Sequence, residues 1–280
     1  MFRCGLFTSL LLTLALTGCT TKPPASDSSL KSAFVTPQPA PKKLKADDPV
    51  EMEPAAWMHA ENPHHLAGRI LSVSSLSEMK LQDKEVLLTF DDGPAPGKTD
   101  RILATLDKFG VKGTFMMVGE MAELHPETAR KVAEEGNTIG SHTYDHPDLD
   151  KLSFDMAMKE ITRGENAVTK ATGVDVSFFR FPYLADSKKL RAAVALRDLV
   201  VMDVDIDSKD YFKTTPIVVV QRTMNLLHKR GRGIILMHDI HQRTAAMLPT
   251  LLSRLENEGF KVVTLRYKPV HEPLQVAWAD

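Results

Sequence analysis

Seven short apolar runs recur along the chain, at 86–90, 113–118, 138–142, 177–181, 199–204, 233–237 and 261–265. Runs of this length, rich in branched and aromatic residues and bounded by turn formers, read as buried strands. Between most of them the apolar residues adopt helical spacing, at 99–109, 126–135, 153–172, 187–197, 216–229 and 244–258. In the first of these, Ile102, Leu103, Leu106 and Phe109 share a face, and the third opens on Ser153 as a cap. Gly110, Gly136, Gly173 and Gly259 stand where helices should stop. Strands alternating with helices fold as parallel β/α architecture, because each helix returns the chain to the same sheet edge. The methionines at 116, 117, 156, 158, 224 and 247 read as core filler.

Composition narrows the chemistry. The 280 residues carry a formal net charge of -1, and no basic stretch is interleaved with aromatics, so no nucleic-acid partner is expected. The two cysteines, Cys4 and Cys19, both precede the body of the chain, which leaves it no disulfide and no thiolate zinc site. Any metal must be held by His, Asp or Glu.

The ends read differently from the middle. Residues 1–19 combine Arg3, an apolar run too short to span a bilayer, and Leu16-Thr17-Gly18-Cys19. This resembles the lipobox of bacterial lipoproteins, which implies cleavage before Cys19 and a lipid on its sulfur. The expected location is a lipid-anchored face of the cell envelope. Thr20, rather than Asp, follows the cysteine, which in a Gram-negative cell points to the outer membrane. Residues 20–55, rich in Pro, Lys, Ser and Ala, read as a flexible tether. Residues 56–83 read as a lead-in with solvated His59, His64 and His65, residues 84–268 as the folded domain, and 269–280 as a tail.

Polar residues interrupt the apolar pattern at one place in each unit, just after the strand. Asp91 and Asp92 end the first run, and Ser141-His142 with Asp145-His146 ends the third. Arg180-Phe-Pro-Tyr183 ends the fourth, Asp203, Asp205 and Asp207 the fifth, and Leu236-Met-His238-Asp239 the sixth. In parallel β/α folds that edge is where loops converge on a site. Asp-Gly-Pro alone is an ordinary turn, but five polar insertions on one rim are hard to explain by packing. Two adjacent carboxylates repel and need a cation, a proton or an arginine. His142 and His146, four apart, can face the same way on one helical turn, and with one carboxylate they make a set that leaves room for water. The other carboxylate can act as general base, held ionised by Arg180. His238 can protonate a leaving group, oriented by an acid such as Asp207. His228 reads as a helix-end cation and His241 as solvated.

Thr89-Phe-Asp-Asp-Gly-Pro94, His142-Thr-Tyr-Asp-His146, Arg180-Phe-Pro-Tyr183, Asp207-Ser-Lys-Asp-Tyr211 and Leu236-Met-His238 resemble the five ordered motifs of the polysaccharide deacetylases of carbohydrate esterase family four. The resemblance spans about residues 84–268. It implies a distorted (β/α) barrel of about seven parallel strands with its site at the carboxyl-end rim. It implies Asp91 as base and Asp92, His142 and His146 as ligands of a divalent metal, zinc first and Co2+, Ni2+ or Mn2+ after it. It implies Arg180 orienting Asp91, the Tyr183 N–H holding the oxyanion, His238 as acid tethered by Asp207, and Leu236 lining the acetyl pocket. The chain departs from the pattern at Val204 and Tyr211, where tryptophans are common, and at Phe181, where proline is frequent. These wall positions bear on substrate choice.

The resulting expectation is a metal-dependent hydrolase removing N-acetyl groups from a cell-envelope polysaccharide, peptidoglycan before poly-N-acetylglucosamine or chitin oligomers, with no obligate protein partner. An O-acetyl xylan esterase of the same family is the alternative, and an anchored, catalytically silent glycan-binding protein is the alternative of another class.

Overall fold

The computed structural model describes residues 65–269. The expected lipobox with Cys19, the tether, His59, His64 and residues 270–280 lie outside the described residues. Nine strands and seven helices follow in order: β1 (Ala67–Val73), β2 (Glu85–Asp91), α1 (Lys98–Lys108), β3 (Thr114–Met117), α2 (Gly119–Leu124), α3 (Pro126–Glu134), β4 (Thr138–Ser141), α4 (Phe154–Thr172), β5 (Phe178–Phe179), α5 (Lys188–Ala195), β6 (Val200–Val201), β7 (Ile206–Asp207), α6 (Pro216–Arg230), β8 (Gly233–His238), α7 (Gln242–Asn257) and β9 (Lys261–Tyr267). Every strand pairing among them is parallel. β2 is the hub: β3 continues through β4, β5 and β6 on one side, and β8 then β7 lie on the other. No ladder joins β6 to β7 among the described residues, so the barrel is open there. β5, β6 and β7 are two residues each, which is the distortion.

Two strands, β1 and β7, exceed the expected seven. β1 grows from the lead-in and pairs with β9, so the fold begins before residue 84. β9 in turn meets only Glu85 and Val86 of β2, and its Leu265 carbonyl accepts from Thr138 Oγ1 at the start of β4. β1 and β9 therefore lie across the amino end of the barrel. α2, only six residues, has too little sequence for a helical period to register.

The period of two along each strand sorts the apolar residues into two cores. Val86, Leu88 and Phe90 of β2, with Phe115, Met117, Phe179, Ile235 and Met237, pack outward against the buried faces of the helices. Leu87, Met116, Phe178, Val200 and Ile234 form a separate inner core with Leu71, Val73, Val263 and Leu265 of β1 and β9. Continuing the inner series toward the carboxyl ends gives Thr89 and Asp91 after Leu87. It gives His142 after Gly140, Arg180 after Phe178, and Leu236 and His238 after Ile234. The alternation that fills the barrel floor thus aims the polar residues into its mouth.

Candidate active site and metal centre

At the rim Asp91, His142, Arg180, Leu236 and His238 line one cavity of about 490 Å³, together with Asp92, His146, Tyr183, Asp207 and Tyr211. In register, Asp91 lies beside His238 across the β2–β8 ladder. Asp91 is buried, and its Oδ1 accepts from Arg180 Nη1 at 2.7 Å. The same nitrogen reaches Thr89 Oγ1 at 2.8 Å, while Nε and Nη2 donate to the carbonyls of Met202 and Asp203. Arg180 is 1% exposed, and its guanidinium fork is fixed by four acceptors at the ends of two strands, β2 and β6. A buried carboxylate bonded in this way is fixed in one orientation.

Asp92 takes the left-handed backbone at φ 75°, which turns it out of the strand direction and toward the β4 loop. Its Oδ1 lies 3.6 Å from His142 Nε2 and 3.4 Å from His146 Nε2, and the two imidazole nitrogens are 3.1 Å apart. His142 Nδ1 lies 2.8 Å from the Arg180 carbonyl, which can only accept, so Nδ1 carries the proton and Nε2 offers a lone pair. Burial holds the His142 pKa below its ordinary value against the pull of Asp91 and Asp92, which favours the neutral ring. Asp92 Oδ1 is buried without a hydrogen-bond partner. An orphaned carboxylate oxygen facing two imidazole nitrogens is a poor arrangement unless a cation sits among them. These three residues fit a divalent metal, all three ligand atoms lying within 4.8 Å of one another.

The two histidines do not share a helical turn, as their spacing suggested. Residues 142–148 are irregular, with Thr143 at φ 69° and His146 at φ 60°. Two left-handed residues fold the segment into a tight loop, and the rings meet edge to face at 4.7 Å. Backbone amides at the start of α2 hold the loop, Gly119 N–H donating to Thr143 O and Glu120 N–H to Tyr144 O. α4 presses on it from behind at Gly164, where a Cβ would lie 2.3 Å from the Thr143 carbonyl carbon.

The opposite wall is built on His238. Its partner is Asp210, not the expected Asp207. Asp210 Oδ1 lies 2.8 Å from His238 Nδ1, and Oδ2 accepts the His238 backbone N–H at 2.7 Å. Asp207, at the end of β7, instead accepts from Lys209 N–H and from Tyr211 Oη at 2.8 Å. That turn, with Lys209 at φ 54°, carries the chain back so that the second acid of Asp-x-x-Asp reaches beneath β8. Asp210 is wholly buried and also takes the Thr244 hydroxyl, while Arg243 donates to its carbonyl. Burial opposes a charged His238, but the Asp210 bond and charge, with Asp91 and Asp92, outweigh it and raise the pKa to about 9. The ring is therefore an imidazolium at neutral pH with its Nε2 proton free. His241, expected in solvent, is half-buried 5.7 Å from the His238 ring, and burial lowers its pKa. His228 does pair at the end of α6, with Glu258.

Tyr183 stands at φ 58° with its ring exposed and edge-on to His146 at 4.7 Å. Leu236 lines the cavity floor, 8% exposed. Tyr211 stands between Asp207 and the His238 ring, and burial with its bond to Asp207 raises its pKa to about 12. Sequence reasoning missed Asp210, and no spacing rule separates it from Asp207; only the path of the turn does.

The sequence pattern of the family described as polysaccharide deacetylase matches residues 78–201. The peptidoglycan-N-acetylglucosamine deacetylase PgdA of Listeria monocytogenes is 34% identical over 183 residues, covering 65% of this chain and 38% of that protein. The chitin deacetylase of Colletotrichum lindemuthianum is 30% identical over 223 residues, 75% of this chain and 90% of that protein. Among solved structures, the Bdellovibrio bacteriovorus peptidoglycan deacetylase Bd3279 superimposes with a TM-score of 0.64 at 33% identity, covering 73% of this chain and 57% of that one. The chain spans about four tenths of the length of the first peptidoglycan relatives.

Proposed function

The chain belongs to the polysaccharide deacetylase family, and from that premise we propose that it hydrolyses N-acetyl groups of a cell-envelope polysaccharide, peptidoglycan first, releasing acetate. The observation that carries this reading is the facing of two different walls across one cavity: Asp91 clamped by Arg180 beside the Asp92–His142–His146 cluster, and the His238–Asp210 pair opposite. Asp92, His142 and His146 would hold a divalent metal, zinc by preference, which when bound would supply positive charge to polarise the acetyl carbonyl and acidify water. Asp91, oriented by Arg180, takes a proton from the attacking water. The Tyr183 backbone N–H meets the carbonyl oxygen as it gains charge. His238 passes its Nε2 proton to the departing nitrogen, Nδ1 being engaged by Asp210. An amine anion cannot leave unaided at neutral pH, so an amide substrate needs a proton donor of the kind His238 supplies. Leu236 shapes the recess for the acetyl methyl.

The relatives named for peptidoglycan and chitin support the amide class. With a lipid on Cys19 and a tether over 20–55, the domain works at the envelope surface. Acetate release should be measured with peptidoglycan, N-acetylglucosamine oligomers and O-acetylated xylan in parallel. Release from the N-acetylated polymers but not from xylan is the expected result. Release from xylan alone overturns the amide assignment in favour of the esterase. Metal uptake with no release from any polymer favours the silent glycan-binding protein.

A further inference from the structure

Next to His238 stands a second acid that the chemistry above does not use. Asp239 is 1% exposed, and no cation pairs with it among the described residues. One carboxylate oxygen, Oδ2, accepts the Thr99 hydroxyl at 2.6 Å, and that hydroxyl in turn accepts the Ala95 backbone N–H at 2.8 Å. The other, Oδ1, is buried without a partner. The carboxylate lies flat against Gly93, where a Cβ would stand 2.1 Å from Oδ2 and 2.3 Å from Cγ. Its own backbone N–H donates to Asp91 O at 3.2 Å. Asp239 therefore touches the chain just before Asp92, just after it, and at the first turn of α1.

A buried acid with no cation beside it costs stability and needs a return. Asp92 needs restraint of the kind it gives. Its left-handed backbone is strained for a residue with a Cβ, by about 1–3 kcal/mol. Outside the Asp239 contacts the turn is held by Asp92 N–H to Met116 O and Val118 N–H to Gly93 O, both on the β3 side. Asp239 and Thr99 close the other side. We propose that Asp239 is a positioning residue, whose carboxylate locks the 93–99 turn so that Asp92 presents its oxygen to His142 and His146. This rests on the reading of those three as a metal site.

Zinc affinity of the full chain, measured by competition with a chromogenic chelator, tests it alongside thermal melting of the metal-free forms. Asp239→Ala should weaken zinc binding about 10–100-fold, the range for residues that orient a ligand from behind. Asp239→Asn keeps an oxygen for the Thr99 hydroxyl and the same volume against Gly93, and should stay within about threefold of wild type. Thr99→Val removes the hydroxyl bridge and should weaken zinc in the same direction as Asp239→Ala. A folded Asp239→Ala with zinc affinity within about threefold of wild type overturns the proposal, whatever its melting temperature. If Asp239→Ala does not fold, unchanged affinity in Thr99→Val overturns it instead. A wild-type chain that takes up no zinc overturns the metal reading itself, and the inference with it.

Discussion

The two walls of the cavity are built to opposite specifications. On the His238 side the acid beneath the ring is fully engaged: Asp210 takes the ring, the backbone N–H of His238 and the Thr244 hydroxyl. On the Asp92 side three ligand atoms converge with an oxygen left over. A complete hydrogen-bond set fixes a protonation state, whereas an incomplete one is a place for something to bind. The difference separates a proton donor whose charge is set by the fold from a cluster whose charge is balanced only by a bound cation.

The sharpest way to break this contrast is at Asp91, which serves both walls. Asp91→Asn should lower acetate release by at least about 100-fold while zinc binding persists, because the base is lost and the ligands are not. Turnover within tenfold of wild type would remove Asp91 from the base role. On the open wall, His142→Ala should lose zinc by chelator competition, since it deletes one of three donors and leaves Asp92 uncompensated. Equal zinc uptake would show that the cluster is not the site.

On the closed wall the effect should be a shift in pH, not a loss of metal. The His238 pKa of about 9 lies above the unfolded value of about 6.5, so its stabilising contribution is whole below pH ~6.5 and fades as pH rises through about 9. Activity that depends on the imidazolium falls over the same alkaline limb. A bound cation offsets the part contributed by Asp91 and Asp92, so the limb of the loaded enzyme lies somewhat lower. Asp210→Asn removes the principal partner and should move that limb down by more than about one pH unit, with zinc retained. The same shift from Asp207→Asn, and none from Asp210→Asn, would restore the pairing expected from sequence. The smallest effect belongs to Tyr211→Phe, which deletes one half-exposed bond to Asp207 and should cost about 0.5–1.5 kcal/mol in chemical unfolding.

Much of the rim was legible because strand periodicity is strict. Once 86–90 is a strand, Asp91 must fall on the face of Leu87 and Thr89, and the same step of two places Arg180 and His238. What failed was set by left-handed residues. The 142–146 segment was expected as a helical turn and is a loop, because Thr143 and His146 take backbone angles that no spacing rule foretells. The partner expected for His238 is Asp207, the last acid of the fifth run, while Lys209 at positive φ swings Asp210 under β8. β1 escaped notice because its burial alternates at a barrel end and only Leu71 and Val73 are buried within it. Asp239 was visible as a residue but not as a buried one, since only the close approach of Gly93 makes its place evident.

The most direct test strips the full chain of metal with a chelator and returns zinc stepwise, following acetate release from N-acetylglucosamine oligomers in the same samples. Release should be absent at the start and rise to a plateau at about one zinc per chain, as one three-ligand site requires. Full release from the stripped protein would contradict the account, as would zinc uptake at one equivalent with no release.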